Sequence, residues 1–468
     1  MQRSIFRGGP PGEVAVVGLG KSGRAAAELL ARDGHAVYAS DGGSGAAVCR
    51  AADVLRALGV DVQVGGYDLA RIARAALVVA SPGVPPGAPP LAAARAAGRE
   101  PVGEIEIALH YLPALRYVAV TGTNGKTTTT AIVGALLRAL GHDAPDAGNI
   151  GTPLAELALR ERPPAWAALE LSSFQLHDTP SVRPTVGVVT NLSPDHLDRY
   201  DDVAAYYADK ARLFANASAD SRWVLNADEP AVLRLHERQL GAGAALPGAR
   251  YTFSLRVVGA DAHYDAAGAR LVLAGEPLLP RAELQLLGDH NVANALAAAL
   301  AVWAADAAHR TPAARARMAA ALGAFRALGH RLEPVGTFGG VTWINDSKAT
   351  NVSSTLVAVQ GMRQPYVLLL GGRHKGEPYT TLAEPFRRFG KRVLAYGEAA
   401  PLIERDLGAL VPVERLGSSF DEVVARARAL AEPGDAVLLS PACSSYDMFT
   451  NYEERGAAFR RLAASEAP

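Results

Sequence analysis

The segment Thr121-Gly122-Thr123-Asn124-Gly125-Lys126-Thr127-Thr128 has the plainest chemical meaning in this chain. The apolar run Tyr117–Val120 precedes it, and a stretch with Ile132, Leu136 and Leu140 four apart follows, stopped by Gly141. A glycine turn between a strand and a helix aims backbone N–H groups and a helix N-terminus at phosphates. Lys126 is placed to reach the β- and γ-phosphates of a nucleotide, and the Thr127 hydroxyl to bind Mg2+. Val120 stands where the general GxxxxGK(S/T) pattern has its first glycine, so this is a shorter variant ending in the same Gly-Lys-Thr. The competing reading is a Gly/Thr turn with no ligand; the flanking strand and helix favour phosphate binding.

Lysine usage points the same way. Of 47 basic residues only six are lysines: Lys21, Lys126, Lys210, Lys348, Lys375 and Lys391. Where either cation would serve, this chain uses Arg. The retained lysines are therefore candidates for chemistry that needs a compact point charge or, once deprotonated, a nucleophilic amine. Chance retention on the surface is the better reading for Lys391; the other five fall in or near motifs.

Gly18-Leu19-Gly20-Lys21-Ser22-Gly23 follows the strand Val14–Val17, and Asp41 comes some twenty residues on. This GxGxxG suits NAD or any diphosphate seated on a helix N-terminus, or a turn that only needs close packing. Glu170, in Leu169-Glu170-Leu171-Ser172-Ser173, ends a buried strand where α/β sheets present ligand-binding groups, and beside a phosphate loop it reads as a Mg2+ ligand. His196, in Asn191–Tyr200, is a metal ligand or a structural histidine; the polar cluster around it favours the ligand. Lys210 lies on a helix, where a solvated surface lysine is the ordinary case. Asn291 and Asn294 open another helix, where caps are common, yet three apart they share one face and together can read a purine edge. Arg331 and Asp346 bracket a transferring phosphoryl group or are a structural pair. The turns Gly371–Lys375 and Ser440–Tyr446 can hold a small acid, the first by charge, the second by hydroxyls and backbone N–H groups.

These groups must be positioned by elements the sequence also shows. Runs at Leu77–Ala80, Ala167–Leu171, Val186–Thr190, Trp223–Asn226, Thr342–Ile344, Tyr366–Leu370, Val393–Tyr396 and Ala436–Leu439 read as strands separated by helical stretches. That implies an α/β protein with parallel sheets, and three domains are expected: 1–112, 113–328 and 329–468. A long helix is expected from Asn291 to about Ala308. Charges balance at 47 against 47, so no basic excess points to nucleic acid. Cys49 and Cys443 make no disulfide framework or CxxC pair, and a reducing cytosol fits. Met1–Pro11 carries no apolar signal core, and no apolar stretch approaches the roughly 20 residues that span a bilayer.

In order, the segments Gly122–Thr128, Leu169–Leu176, Asp195–Tyr200, His290–Asn294, His330–Glu333, Asn345–Asn351 and Ser440–Ser445 resemble the Mur ligase family over nearly the whole chain. Leu169–Leu176, Asp346–Asn351 and Ser440–Cys443 look most like the branch that adds D-glutamate to UDP-N-acetylmuramoyl-L-alanine. The resemblance implies a Rossmann-like N-terminal domain holding the UDP substrate, a central P-loop ATPase domain and a Rossmann-like C-terminal domain binding the amino acid. It implies a cytoplasmic, monomeric enzyme of peptidoglycan precursor synthesis that uses ATP and Mg2+ and passes through an acyl phosphate. By the same carry-over, Gly122, Thr123, Asn124, Gly125, Lys126, Thr127, Thr128, Asn291, Asn294, Arg331 and Asp346 serve ATP. Thr127, Glu170, His196 and Lys210 serve the metal, with Lys210 as a carbamate, and Lys126, His196, Lys210 and Lys348 are catalytic. Lys21, Ser22, Asp41, Ser81 and Asn149 hold the UDP-sugar. Thr350, Lys375, Ser445, Tyr446 and Tyr452 surround glutamate, with Tyr446 standing where the family carries an aliphatic residue. Groups drawn from all three domains imply closure on nucleotide binding. The alternatives are a sister ligase with L-glutamate or another acceptor, an NAD-dependent oxidoreductase built on Gly18–Gly23, and a non-catalytic UDP-sugar binding protein.

Overall fold

The structure is a computed structural model that describes residues 12–196, 199–326 and 329–465. The expectation for Met1–Pro11 falls on residues outside these, as do Leu197 and Asp198 of the Asp195–Tyr200 segment and Leu328 at the second expected domain boundary.

Three sheets organise the chain. The first has five parallel strands in the spatial order Asp61–Val64, Val37–Asp41, Val14–Val17, Leu77–Ala80 and Val102–Gly103. The second has nine, with Arg116–Thr121 paired in parallel between Trp166–Glu170 and Val186–Val189. The third has six, with Ala436–Leu439 in parallel between Val341–Asn345 and Tyr366–Gly371. Near-continuous apolar runs form the inner strands because helices cover both faces, the condition for a parallel sheet. Tyr366–Gly371 and Arg116–Thr121 illustrate it: apart from half-buried Arg116, every residue of both is buried.

Two edges depart from the parallel pattern. Ala262–Asp265, Arg270–Leu273 and Glu276–Pro280 end the second sheet as an antiparallel meander. Glu333–Phe338 pairs antiparallel with Val341–Asn345 across Gly339-Gly340. Short loops of two to four residues cannot make the crossover that a parallel pair requires, so these strands fold back as hairpins. The long helix runs Asp289–Ala305, three residues short of the expected end, where Asp306 turns extended. Its alanines are small enough to let it lie close against helix Lys126–Ala139, and Val292, Leu296 and Leu300 share one core with Ile132, Val133 and Leu136.

Helix Glu104–Tyr111 fastens the first sheet to the second. The Glu106 carboxylate accepts from the Ser181 N–H at 2.9 Å and its hydroxyl at 2.7 Å, and Gly103 N–H donates to the Asp178 carbonyl at 2.7 Å. Arg24 pairs with Glu156 at 2.7 Å. Glu104 is 2% exposed and accepts the Ala155 N–H; burial pushes its carboxyl up to about 7, against the pull of that bond. Between pH ~4.5 and ~7 the folded chain therefore binds more protons than the unfolded one, so this group's contribution to stability falls as pH rises through that window. Glu104→Gln is expected to melt higher than the parent at pH 8, by about 1–3 kcal/mol in stability, and to match it near pH 5. A difference independent of pH would refute the assignment.

Candidate active site

The phosphate loop leaves the middle of the second sheet at Thr121 and enters its helix at Lys126. Gly122 and Gly125 have φ of 139° and 80°. Side chains there would also collide: a Cβ on Gly122 would lie 2.0 Å from Thr190 Oγ1, and one on Gly125 2.3 Å from Asn294 Oδ1. The neighbouring loop braces this turn. Asn191 accepts Thr123 N–H on its carbonyl at 2.9 Å and Asn124 N–H on its side-chain oxygen at 2.8 Å. The Thr190 hydroxyl donates to the Asn124 carbonyl at 2.7 Å. Thr190 and Asn191 thus fix the loop. Asn191 was in a quoted motif, but nothing in its spacing marked that task.

Four of the six lysines face this region or the adjoining turns. Lys126 Nζ donates to the Thr123 carbonyl at 2.7 Å, folded back over its own loop. Burial lowers its pKa first, with Arg331 and Lys375 adding to the effect and Glu170 and Asp195 opposing it. Lys210, on helix Val203–Ala211, is 1% exposed and donates to the Gly122 carbonyl at 2.7 Å. Burial, then the charge of Lys126, hold it well below the usual lysine range. Its Nζ lies 4.6 Å from the centre of the Tyr206 ring, which in turn contacts His196. Lys348 is pushed down to about 8 by burial and then by Arg331, and its Nζ sits 5.0 Å over Tyr452. Lys375 Nζ reaches the Thr350 hydroxyl at 3.5 Å. Lys391, by contrast, pairs with Glu432 and Asp435 at the surface, and Lys21 is exposed at the start of its helix.

Glu170 is 1% exposed. Asn149 donates to its Oε1 at 2.8 Å, while Oε2 is buried with no hydrogen-bond partner. A buried carboxylate oxygen left unpaired is costly, and a cation is the natural way to satisfy it. His196 is lowered to about 4 by burial, outweighing the opposing charge of Asp195, so its imidazole is neutral and free to ligate. Its backbone φ of 56° is unusual for a non-glycine residue. Thr127 Oγ1 accepts from Arg331 Nη2 at 2.7 Å, and Arg331 Nε is buried without a partner. Among the described residues no three His, Cys, Asp or Glu side chains cluster as a metal cage.

A cavity of about 360 Å3 opens beside the loop, lined by Gly125, Phe253, Asn294, Arg331, Lys348 and Ser354 among others. Asn291 and Asn294 are buried at its wall, but Asn294 Nδ2 donates to Asn291 Oδ1 at 3.1 Å, and Thr129 donates to Asn294 Oδ1. Part of their capacity is thus spent on each other. Asp346 is buried and pushed up to about 7 by burial, and it accepts from Ser440 at 2.7 Å and from Leu332 N–H at 3.2 Å. The third domain also clasps the loop directly. Asn124 donates to Ser353 Oγ at 2.9 Å and accepts from the Ser354 hydroxyl at 2.7 Å; Asn351 donates to Asp195 at 2.8 Å. Ser353 and Ser354 carry no sequence signal: they follow the Asn345–Asn351 segment as ordinary residues of a helix first turn.

The N-terminal turn stands apart. Gly18 has φ of 91°, and a Cβ on Gly23 would fall 1.8 Å from the Gly18 carbonyl oxygen, so the glycines are needed for a tight strand-to-helix turn. Both oxygens of Asp41 accept backbone N–H groups, from Leu19 at 2.7 Å and Gly43 at 2.8 Å. Ser81 is buried against Gly18, and Ser22 is half-buried. Asn149 is exposed and joins Glu170 rather than this turn. In the third domain Ser445 is buried beside Ser444, whereas Tyr446 is 64% exposed.

Residues 12–103 match the Mur ligase MurD-like N-terminal domain, 120–302 the Mur ligase middle domain, and 330–443 the Mur ligase, glutamate ligase domain. The chain belongs to the Mur ligase family. Among curated relatives, the UDP-N-acetylmuramoylalanine–D-glutamate ligase of Anaeromyxobacter dehalogenans is 45% identical, with 97% of this chain and 98% of that one aligned. The protein of the same name from Acidobacterium capsulatum is 41% identical over 96% and 95%. The crystal structure of the UDP-N-acetylmuramate-alanine ligase MurC of Thermotoga maritima shares the fold, with a TM-score of 0.60 at 18% identity, covering 97% of this chain and all of that one. No described helix is long and apolar enough to cross a membrane.

Proposed function

We propose that this chain catalyses the ligation its relatives are named for, the ATP-driven addition of D-glutamate to UDP-N-acetylmuramoyl-L-alanine. The convergence of Lys126, Glu170, Lys210 and Arg331 on one phosphate loop is the observation that carries this reading. The γ-phosphoryl group of ATP passes to the alanyl carboxylate, giving an acyl phosphate and ADP. The glutamate amine then attacks the acyl carbon, loses a proton, and phosphate leaves from the tetrahedral intermediate. Such chemistry needs reactants held in line and phosphate charge neutralised rather than a covalent protein nucleophile.

Within this reading Lys126 turns from the Thr123 carbonyl onto the β- and γ-phosphates, and Arg331 reaches them across the domain seam. Glu170, Thr127 and neutral His196 would hold Mg2+, which would neutralise phosphate charge there. Asn291, Asn294, Asp346 and Lys348 line the nucleotide side. The N-terminal domain, expected at 1–112, takes the UDP-sugar at Lys21, Ser22, Asp41 and Ser81, with Asn149 meeting it near Glu170. The domain expected at 329–468 takes glutamate at Thr350, Lys375, Ser445 and Tyr452; exposed Tyr446 reaches it only at the rim. Phosphate release with D-glutamate, L-glutamate, L-lysine or no acceptor tests the whole. Release with D-glutamate alone supports the reading; release with L-glutamate alone moves the chain to another ligase, and no release with any acceptor sinks it.

A carbamate on Lys210 is the finer proposal. Its support is the burial that holds the amine well below the usual lysine range, favouring the uncharged form that adds carbon dioxide, close to Glu170. Enzyme equilibrated with carbon-13 bicarbonate is expected to show a carbamate resonance that Lys210→Arg lacks. Identical spectra would dismiss it.

A further inference from the structure

Arg455, on helix Tyr452–Ala464, is wholly buried, and every hydrogen bond it makes goes to a neutral group. Its Nε donates to the Ser347 hydroxyl at 3.0 Å; Nη2 donates to the Ser347 carbonyl at 2.8 Å and the Cys443 carbonyl at 3.1 Å; Nη1 reaches the Gly371 carbonyl at 3.5 Å. A guanidinium is a permanent cation, and burying one with no carboxylate in hydrogen-bond contact is expensive, even with the Asp346 carboxyl near enough to feel its charge. A chain that only needed to fill this space had cheaper apolar choices.

The three acceptors belong to three different turns. Ser347 immediately precedes Lys348 and lies three residues before Thr350. Gly371 ends the strand that leads into Lys375, and Cys443 lies two residues before Ser445. The turns are also pressed together without room for side chains. A Cβ on Gly372 would lie 2.2 Å from the Ser444 carbonyl oxygen and 3.1 Å from Arg455 Nη1. Arg373 and Ser444 exchange backbone bonds of 2.9 and 3.1 Å. The planar fork thus sets the spacing of all three turns from behind, by hydrogen bonds a lysine could not make at once.

We propose that Arg455 is the positioning residue of the amino-acid pocket, holding the turns of Thr350, Lys375 and Ser445 in register and supplying a buried positive charge beneath an acidic acceptor. This rests on the ligase reading above. Arg455→Gln and Arg455→Lys are compared with the parent for the KM of each of the three substrates, together with the melting temperature. KM for the amino acid is expected to rise at least tenfold in Arg455→Gln and less in Arg455→Lys, with KM for ATP and the UDP-sugar within about twofold of the parent. Ser347→Ala, which removes one acceptor and keeps the charge, is expected to shift the same KM by a smaller factor and remains informative if Arg455→Gln does not fold. Equal movement of all three KM values, or a lower melting temperature with none moved, would overturn the proposal. If the parent turns over an amino acid other than D-glutamate, the acceptor reading fails while the KM comparison, run with that amino acid, still decides on Arg455.

Discussion

Lys126→Ala is expected to lower turnover by about 10³-fold or more while leaving the fold intact. The structure explains both halves. The side chain's one hydrogen bond returns to Thr123 in its own loop, and Thr190 and Asn191 hold that loop without it. Losing the ammonium therefore costs little packing. On the proposed reading it removes a charge meant for the phosphates from a site where burial magnifies charge, so the loss falls on the transfer step. Steady-state phosphate release and the melting temperature, measured together, check this. A variant that melts normally and retains a tenth of parental activity would show that Arg331 and Lys348 carry the phosphates without Lys126.

Glu170→Gln is the second large effect, at roughly 10²–10³-fold in turnover. Glutamine keeps the shape and can keep the bond from Asn149, so the substitution isolates charge. Two losses add. The unpartnered Oε2 stops being an anion available to a cation. Glu170 is also an opposing charge that helps keep Lys126 and Lys348 protonated against burial, so both become harder to charge. Activity is expected to need more Mg2+ for half-saturation than the parent. An unchanged Mg2+ dependence with unchanged turnover would remove Glu170 from the metal site.

The sequence made the local chemistry of the loop readable because Gly122, Gly125, Lys126 and Thr127 are contiguous and their spacing states the geometry. Lysine scarcity pointed to Lys210, and its burial against Gly122 matches that signal. Glu170 stands out by its place at a strand end, and the structure buries it there with one oxygen unpaired. What stayed hidden depends on residues far apart in the chain. Thr190 and Asn191 sit under a loop some 66 positions away, Ser353 and Ser354 meet Asn124 from another domain, and Arg455 gathers turns up to 108 positions distant. No periodicity records such pairings. The edge hairpins between Ala262 and Pro280 were missed for a different reason: four- and five-residue strands with mixed burial give little alternation to read.

The Ser353–Ser354 clasp on Asn124 joins the nucleotide cavity to the helix that begins just after Thr350. On the proposed reading, one short segment thus borders both the nucleotide and the amino-acid chambers. An inhibitor long enough to bridge them has to enter while the clasp is parted and is then enclosed by it. Its capture rate is set by how often the segment lifts, levelling off as inhibitor concentration rises, and its escape waits on the same event, so residence time outlasts what the contact area alone would suggest.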